Sequence, residues 1–145
     1  MLSFQTTYAI QILDLLHQIE DGVSVSDIHA HFTHLPTRTI ITDVVRSMER
    51  GEVIRRVSWR NMRLRIDVSL SKLTLYDLIL IMDGKLEFGK SVGFPHWYSD
   101  YLKRRPYVAE MERGMEEKIA AVLKGVTVAE LCSPSNDGSM TRVND

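Results

Sequence analysis

Cysteine is almost missing from this chain: Cys132 stands alone among 145 residues. That excludes an intrachain disulfide framework and a cysteine-rich zinc site within one subunit, and it makes a reducing cytoplasm the expected compartment. Long apolar runs are missing too. None approaches the ~20 residues that span a bilayer, and the opening stretch Met1-Leu-Ser-Phe-Gln-Thr-Thr7 has no basic residue ahead of its apolar segment, so neither secretion nor a membrane is expected. Catalytic signatures are lacking: there is no glycine-rich phosphate loop after a strand, no Gly-x-Ser-x-Gly and no His-Glu-x-x-His. An enzyme is not expected. Finally, the first 35 residues contain no lysine or arginine at all.

What is present is a globular composition. Hydrophobic residues at 44% and charged ones at 26% supply a core and place the chain far from disorder. At this length one compact domain with an appended helix is the natural arrangement. The net charge of -1 hides a strong polarity along the chain. Residues 1–35 carry four acids, whereas residues 36–65 carry eight arginines against Asp43, Glu49 and Glu52. Arginine suits planar, bidentate contact with phosphates and guanine edges.

Periodicity predicts three short helices and then a hairpin. Tyr8, Ile12, Leu15 and Ile19, with Ala9, Leu13 and Leu16 beside them, mark a first helix over 7–19 that ends at Asp21-Gly22. Ser24-Val-Ser-Asp27 caps a second helix through Ile28, Ala30 and Phe32. A third starts near Pro36, buries Ile40, Ile41, Val44, Val45 and Met48, and stops at Gly51. Glu52–Val57 and Arg63–Val68 read as two strands joined by Ser58-Trp-Arg-Asn-Met62, a two-stranded hairpin with a basic tip. Beyond it, Thr74-Leu-Tyr-Asp77 caps a helix that ends at Asp83-Gly84, and a loop follows. A short helix over 96–104 and a longer one from Pro106 come next. The longer helix repeats Val108, Met111, Met115, Ile119 and Val122 on one face with charge on the other, so it needs a partner surface. Thr127-Val-Ala-Glu130 recaps a last turn, and the polar tail 133–145 is expected to be disordered.

The fold class that follows is mainly α with a β-hairpin wing: a winged helix-turn-helix over 1–73, a helical dimerisation region over 74–132, and the tail. In such a motif the last helix enters the major groove and the hairpin touches adjacent backbone. Away from the buried stripe of the third helix, Arg38, Thr39, Thr42 and Arg46 lie together as groove-reading side chains. Alternation in a strand cannot place Arg55, Arg56, Arg60, Arg63 and Arg65 on one surface, so Arg60, Asn61 and Arg63 at the tip are the expected phosphate contacts. His29, His31 and His34 are read as surface histidines and not as a metal site, because no acid or cysteine completes a tetrahedron. Cys132 is read as a small buried hydrophobe. Trp97, Tyr98 and Tyr101 are a candidate pocket for an unidentified small-molecule effector, set against the plainer role of core or interface anchors.

The order of these elements, with several strings, resembles the bacterial Rrf-type family of winged-helix transcriptional regulators, typified by IscR and NsrR. The strings are Tyr8-Ala-Ile10, Val23-Ser-Val-Ser-Asp-Ile28, Leu35-Pro36, Met48-Glu-Arg-Gly-Glu-Val-Ile54, Leu73-Thr-Leu-Tyr-Asp-Leu78 with Asp83-Gly84, and Ile119-Ala-Ala-Val-Leu-Lys-Gly-Val-Thr-Val-Ala-Glu-Leu131. The resemblance implies a homodimer whose long helix packs against its two-fold mate, with paired recognition helices reading a palindromic operator. Three departures bear on function. Cluster-binding members place three cysteines in the loop after the fourth helix, and here Gly84 to Pro95 has none. Some members supply an acidic ligand where this chain has Thr7. The glycine-rich wing turn is replaced by residues 58–62. A member without an iron-sulfur cluster, and with no other cofactor, is the expectation. The competing expectation is a winged-helix protein-interaction module with weak or lost DNA binding. The missing wing glycines favour that alternative and the arginine block opposes it.

Overall fold

The computed structural model describes residues 2–32, 38–58, 60, 62–84, 86 and 104–132. Helix α1 (Phe4–Gln18) starts earlier than its apolar pattern suggests, because Ser3 is an N-cap whose Oγ accepts from the Thr6 N–H at 3.0 Å. Its core face is Tyr8, Ala9, Ile12, Leu13 and Leu16. Leu15 is only partly buried, and Ile19 lies beyond the helix end and is exposed. Gly22 then turns the chain at φ +87°, with a would-be β-carbon 3.1 Å from the Leu64 carbonyl oxygen, so both its freedom and its smallness are used.

Val23–Ser24 forms a strand, β1, that periodicity could not reveal in two residues. Helix α2 (Val25–His31) follows at once, N-capped by Ser24 Oγ on the Asp27 N–H at 3.1 Å. Helix α3 (Arg38–Arg50) buries Ile41, Val44, Val45 and Met48, with Ile40 half-buried. Its expected start at Pro36 falls outside the described residues. The hairpin strands are β2 (Ile54–Ser58) and β3 (Arg63–Ile66), but the sheet has three strands, antiparallel in the order β1-β3-β2. Val23 pairs with Leu64, and Ile54 with Ile66. The expected two-stranded wing is therefore extended by the segment that leads into α2.

Helix α3 ends just before Gly51, where the sequence places its stop. Gly51 does not take the left-handed conformation there; Glu52 does, at φ +59°. The Val53 N–H reaches the Met48 carbonyl at 3.0 Å and the Glu52 N–H that of Glu49 at 3.0 Å, a Schellman ending with residue 52 in the position usually held by glycine. Val53 and Met48 are both fully buried and supply its hydrophobic contact.

Helix α4 (Leu75–Asp83) opens with a complete capping box: Thr74 Oγ1 accepts from the Asp77 N–H at 3.1 Å, and Asp77 Oδ2 accepts from the Thr74 N–H at 3.2 Å. Helix α5 (Pro106–Lys124) has proline at its first turn and no buried residue anywhere along it. Helix α6 (Val128–Cys132) is capped by the same reciprocal device, between Thr127 and Glu130. The Leu75 N–H donates to the Val126 carbonyl and the Val128 N–H to that of Leu73, both at 2.8 Å, which ties the start of α6 to the start of α4. Helix α6 packs on α1, so Val128 and Cys132 join one core with Ile12, Leu13, Ile28, Ile41, Met48, Leu64 and Leu78. The core thus spans residues on both sides of position 73. No helix among the described residues is long and apolar enough to cross a membrane.

Candidate nucleic-acid interface

An α-helix turns by ~100° per residue, so positions 38, 39, 42, 46 and 49 of α3 fall within an arc of roughly 100°. The buried stripe lies on the other side. Arg38 and Thr39 are exposed at the N-terminal end of this arc, and Arg46 is exposed one turn beyond Thr42. Arg46 meets Asp43 only at 3.8 Å, with both side chains more than half exposed. Such a pair contributes little, roughly 0–1 kcal/mol, and leaves the guanidinium available to another anion. Thr42 is half-buried, with Oγ1 3.4 Å from Nε2 of His29 on α2. The helix ahead of α3 thereby touches a side chain of this arc.

Thr42, Arg46, Glu49, Arg50 and Arg56 line, with Val25 and Val45, an open concavity of about 470 Å³ where α3 meets the wing. Charge is unevenly committed there. Arg56 shares the Ile54 face of β2 and is opposite Leu64, which turns it toward α3. Its Nε donates to Glu49 Oε2 at 3.0 Å and to Oε1 at 3.3 Å, and its Nη2 donates to Oε1 at 3.1 Å. Its Nη1 meets Met62 Sδ at 3.0 Å. The hydrogen bonds that Arg56 donates to Glu49 raise its pKa above the ordinary value. On the opposite face of the sheet Arg55 and Arg65 are directly paired, and Arg55 Nε lies 3.2 Å from Asp67 Oδ1.

The wing tip is described in part. Arg60 is exposed, and Asn61 lies outside the described residues. Met62 adopts φ +50°, a left-handed conformation that favours glycine. Arg63 is exposed, stands between Ser24 and Ser58 in the sheet, and leans toward α1, with Nη1 3.4 Å from the Asp21 carbonyl oxygen. Arg60 and Arg63 are thus both at the surface, but the Arg63 guanidinium is drawn to the base of the wing. The links from Glu49 to Arg56 and from Thr42 to His29 had no counterpart in the sequence reading.

On α5, Val108 and Ile119 are half-buried, while Met111, Met115 and Val122 are 51%, 39% and 69% exposed. Tyr107, at 75%, extends this apolar surface. Lys124 reaches back over the Tyr76 ring at 4.7 Å, a cation–π contact between the end of α5 and α4. Trp97, Tyr98, Tyr101 and His34 lie outside the described residues. His31 stacks edge-on to Phe32. The one cysteine is buried, with Cys132 Sγ 4.0 Å from the Ile10 carbonyl oxygen. Burial, aided by the Asp14 charge, pushes this thiol up to about 11.

No protein-family model and no curated protein matches the chain. Solved structures do. The oxidized form of Staphylococcus aureus CymR superposes with a TM-score of 0.61 at 17% identity, over 92% of this chain and 96% of that one. CymR (YrzC) of B. subtilis, described as the global cysteine regulator of that organism, gives 0.62 at 14% identity, over 92% and 96%. IscR of T. potens gives 0.62 at 16% identity, over 95% and 90%. Nearly the full length of each chain is matched, so the fold is that of these proteins: a mostly helical winged helix with a three-stranded sheet and a long helix near its C-terminus.

Proposed function

We propose that this winged helix binds double-stranded DNA as a homodimer and regulates transcription, without an iron-sulfur cluster. The observation that carries the reading is the exposed arc of α3. Arg38, Thr39, Thr42 and Arg46 stand opposite a fully buried stripe, with the arginine-bearing wing alongside. Groove-edge hydrogen bonds from Thr and Arg specify sequence, whereas wing arginines hold phosphates. Of these, Arg60 lies exposed at the tip, and on the helix Arg38 and Arg46 are exposed within the arc, with Arg50 exposed at its end. The apolar stripe of α5 supports dimerisation: Met111, Met115 and Val122 are left at the surface of one chain, and a two-fold mate would cover them. The fold shared with CymR and IscR, which are regulators, supports the same reading.

In vitro selection from a random duplex pool at near-physiological salt tests this reading. The expected product is a palindrome with half-sites about one helical turn apart. Arg46→Ala is expected to weaken binding to that site by about 1–3 kcal/mol and to leave the dimer intact. A folded dimer that enriches no sequence would instead indicate a protein-interaction module, or a regulator that needs its effector bound.

A further inference from the structure

The acid on the groove-facing arc is the unexpected member of the site. Glu49 lies on the same side of α3 as Arg38, Thr42 and Arg46, where an uncompensated carboxylate would repel phosphates. Among the described residues it is compensated by Arg56 alone of the wing arginines, through three contacts of 3.0–3.3 Å. The pair sits at the protein surface, with side chains 26% exposed for Glu49 and 32% for Arg56. The planar fork of a guanidinium fixes direction as well as distance. With Nη1 on Met62 at the wing tip, the Arg56 side chain links the recognition helix, β2 and the turn beyond it.

Resting on the DNA-binding reading above, we infer that Glu49 is a specificity-determining positioning residue, which holds Arg56 as a strut between helix and wing and withholds its charge from DNA. Specificity is a difference between two affinities. A long cation released on this surface would find a phosphate on any duplex and raise affinity for every sequence alike. Kept on Glu49, it adds nothing to non-specific binding and instead sets the wing at a fixed angle to α3. Arg46, loosely held by Asp43, is the contrasting case of a cation left available.

The test is a salt titration of the full chain on random-sequence duplex between 50 and 200 mM, using wild type, Glu49→Ala, Arg56→Ala and the double variant. Each neutralised phosphate adds about 0.9 to the slope of log affinity on log salt. Glu49→Ala is expected to steepen the slope by about that amount, which is a roughly threefold larger loss of affinity across this range. Arg56→Ala removes the cation and leaves Glu49 uncompensated, so its slope is expected not to exceed that of the wild type, and the double variant is expected to return to the wild-type slope. An unaltered slope in Glu49→Ala overturns the inference, as does a steepening that survives removal of Arg56, or a double variant with a shallower slope than the wild type. Should Glu49→Ala fail to fold, the isosteric Glu49→Gln, which lacks the charge, takes its place. Wild-type protein that binds no duplex at any of these salts overturns the DNA-binding reading as well, so the two failures are distinct.

Discussion

The backbone of Gly51 runs against the side chain of Ile81, so that a β-carbon added at residue 51 would lie 2.6 Å from Ile81 Cγ2. Glycine is required here by the approach of α4 to the end of α3, not by an unusual φ. Gly51→Ala is expected to destabilise by about 1–3 kcal/mol, the range for overpacking a filled site. Urea unfolding checks it. Ile81→Ala introduced together with it should recover part of the loss, giving a favourable coupling in a double-mutant cycle; strict additivity would show that the two do not collide.

The neighbouring residue makes the opposite prediction. Glu52 holds a left-handed conformation, which costs a residue with a β-carbon roughly 1–2 kcal/mol, whereas glycine forfeits about 0.5–1 kcal/mol of backbone entropy. Glu52→Gly is therefore expected to raise stability by about 0.5–1 kcal/mol, seen as a higher urea midpoint at unchanged slope. Glu52→Ala retains the β-carbon and should gain nothing.

Cys132 sets a pH window. Its thiol rises from the ordinary 9.0 to about 11 in the folded chain, first through burial and second through the Asp14 charge. Below pH 9.0 both folded and unfolded chains keep the proton, and the contribution to stability is intact. Between 9.0 and about 11 the unfolded chain ionises first, so stability falls as pH rises through that interval. Cys132→Ala should flatten this part of the profile. In native protein at pH 8, alkylation of the thiol is expected to be slow, and in urea it should become rapid.

Met111 and Met115 are expected to hold the dimer. Both are substantially exposed in one chain, so Met111→Asp with Met115→Asp should cost little folding stability while placing charge in an apolar contact. Sedimentation equilibrium is expected to show a dimer in the wild type and a monomer in the double variant, with matching far-UV circular dichroism. A wild-type monomer at micromolar concentration would remove α5 from that role.

Local signals were the legible ones. Thr74 with Asp77 and Thr127 with Glu130 are capping pairs three residues apart, and both appear in full. The stripe Ile41, Val44, Val45 and Met48 reads directly as the buried side of α3, and therefore its converse reads as the exposed arc. What stayed hidden depends on residues far apart. Thr6 looks like a surface polar residue but is fully buried, because its hydroxyl donates to Asp83 Oδ2 at 3.0 Å across 77 positions. The start of α1 was lost with it, since Ser3 donates to the same carboxylate at 2.8 Å while capping the helix. The arginine block showed where cation density lies but not how it is divided. Whether Arg56 faces Glu49 or solvent follows from strand register, which a run of alternating residues does not reveal.

The third strand of the sheet has a consequence for how the protein is built in time. Strands β2 and β3 close a short hairpin, but β1 joins β3 only when Val23 meets Leu64, with α2, α3 and β2 lying between them in the sequence. Pairings of such separation carry a larger loop-closure entropy and are slow to form compared with local ones. A two-stranded hairpin alone is marginal in water. The wing therefore matures together with the helices it serves, and residues 52–68 cut out as a peptide would not carry its shape to another scaffold.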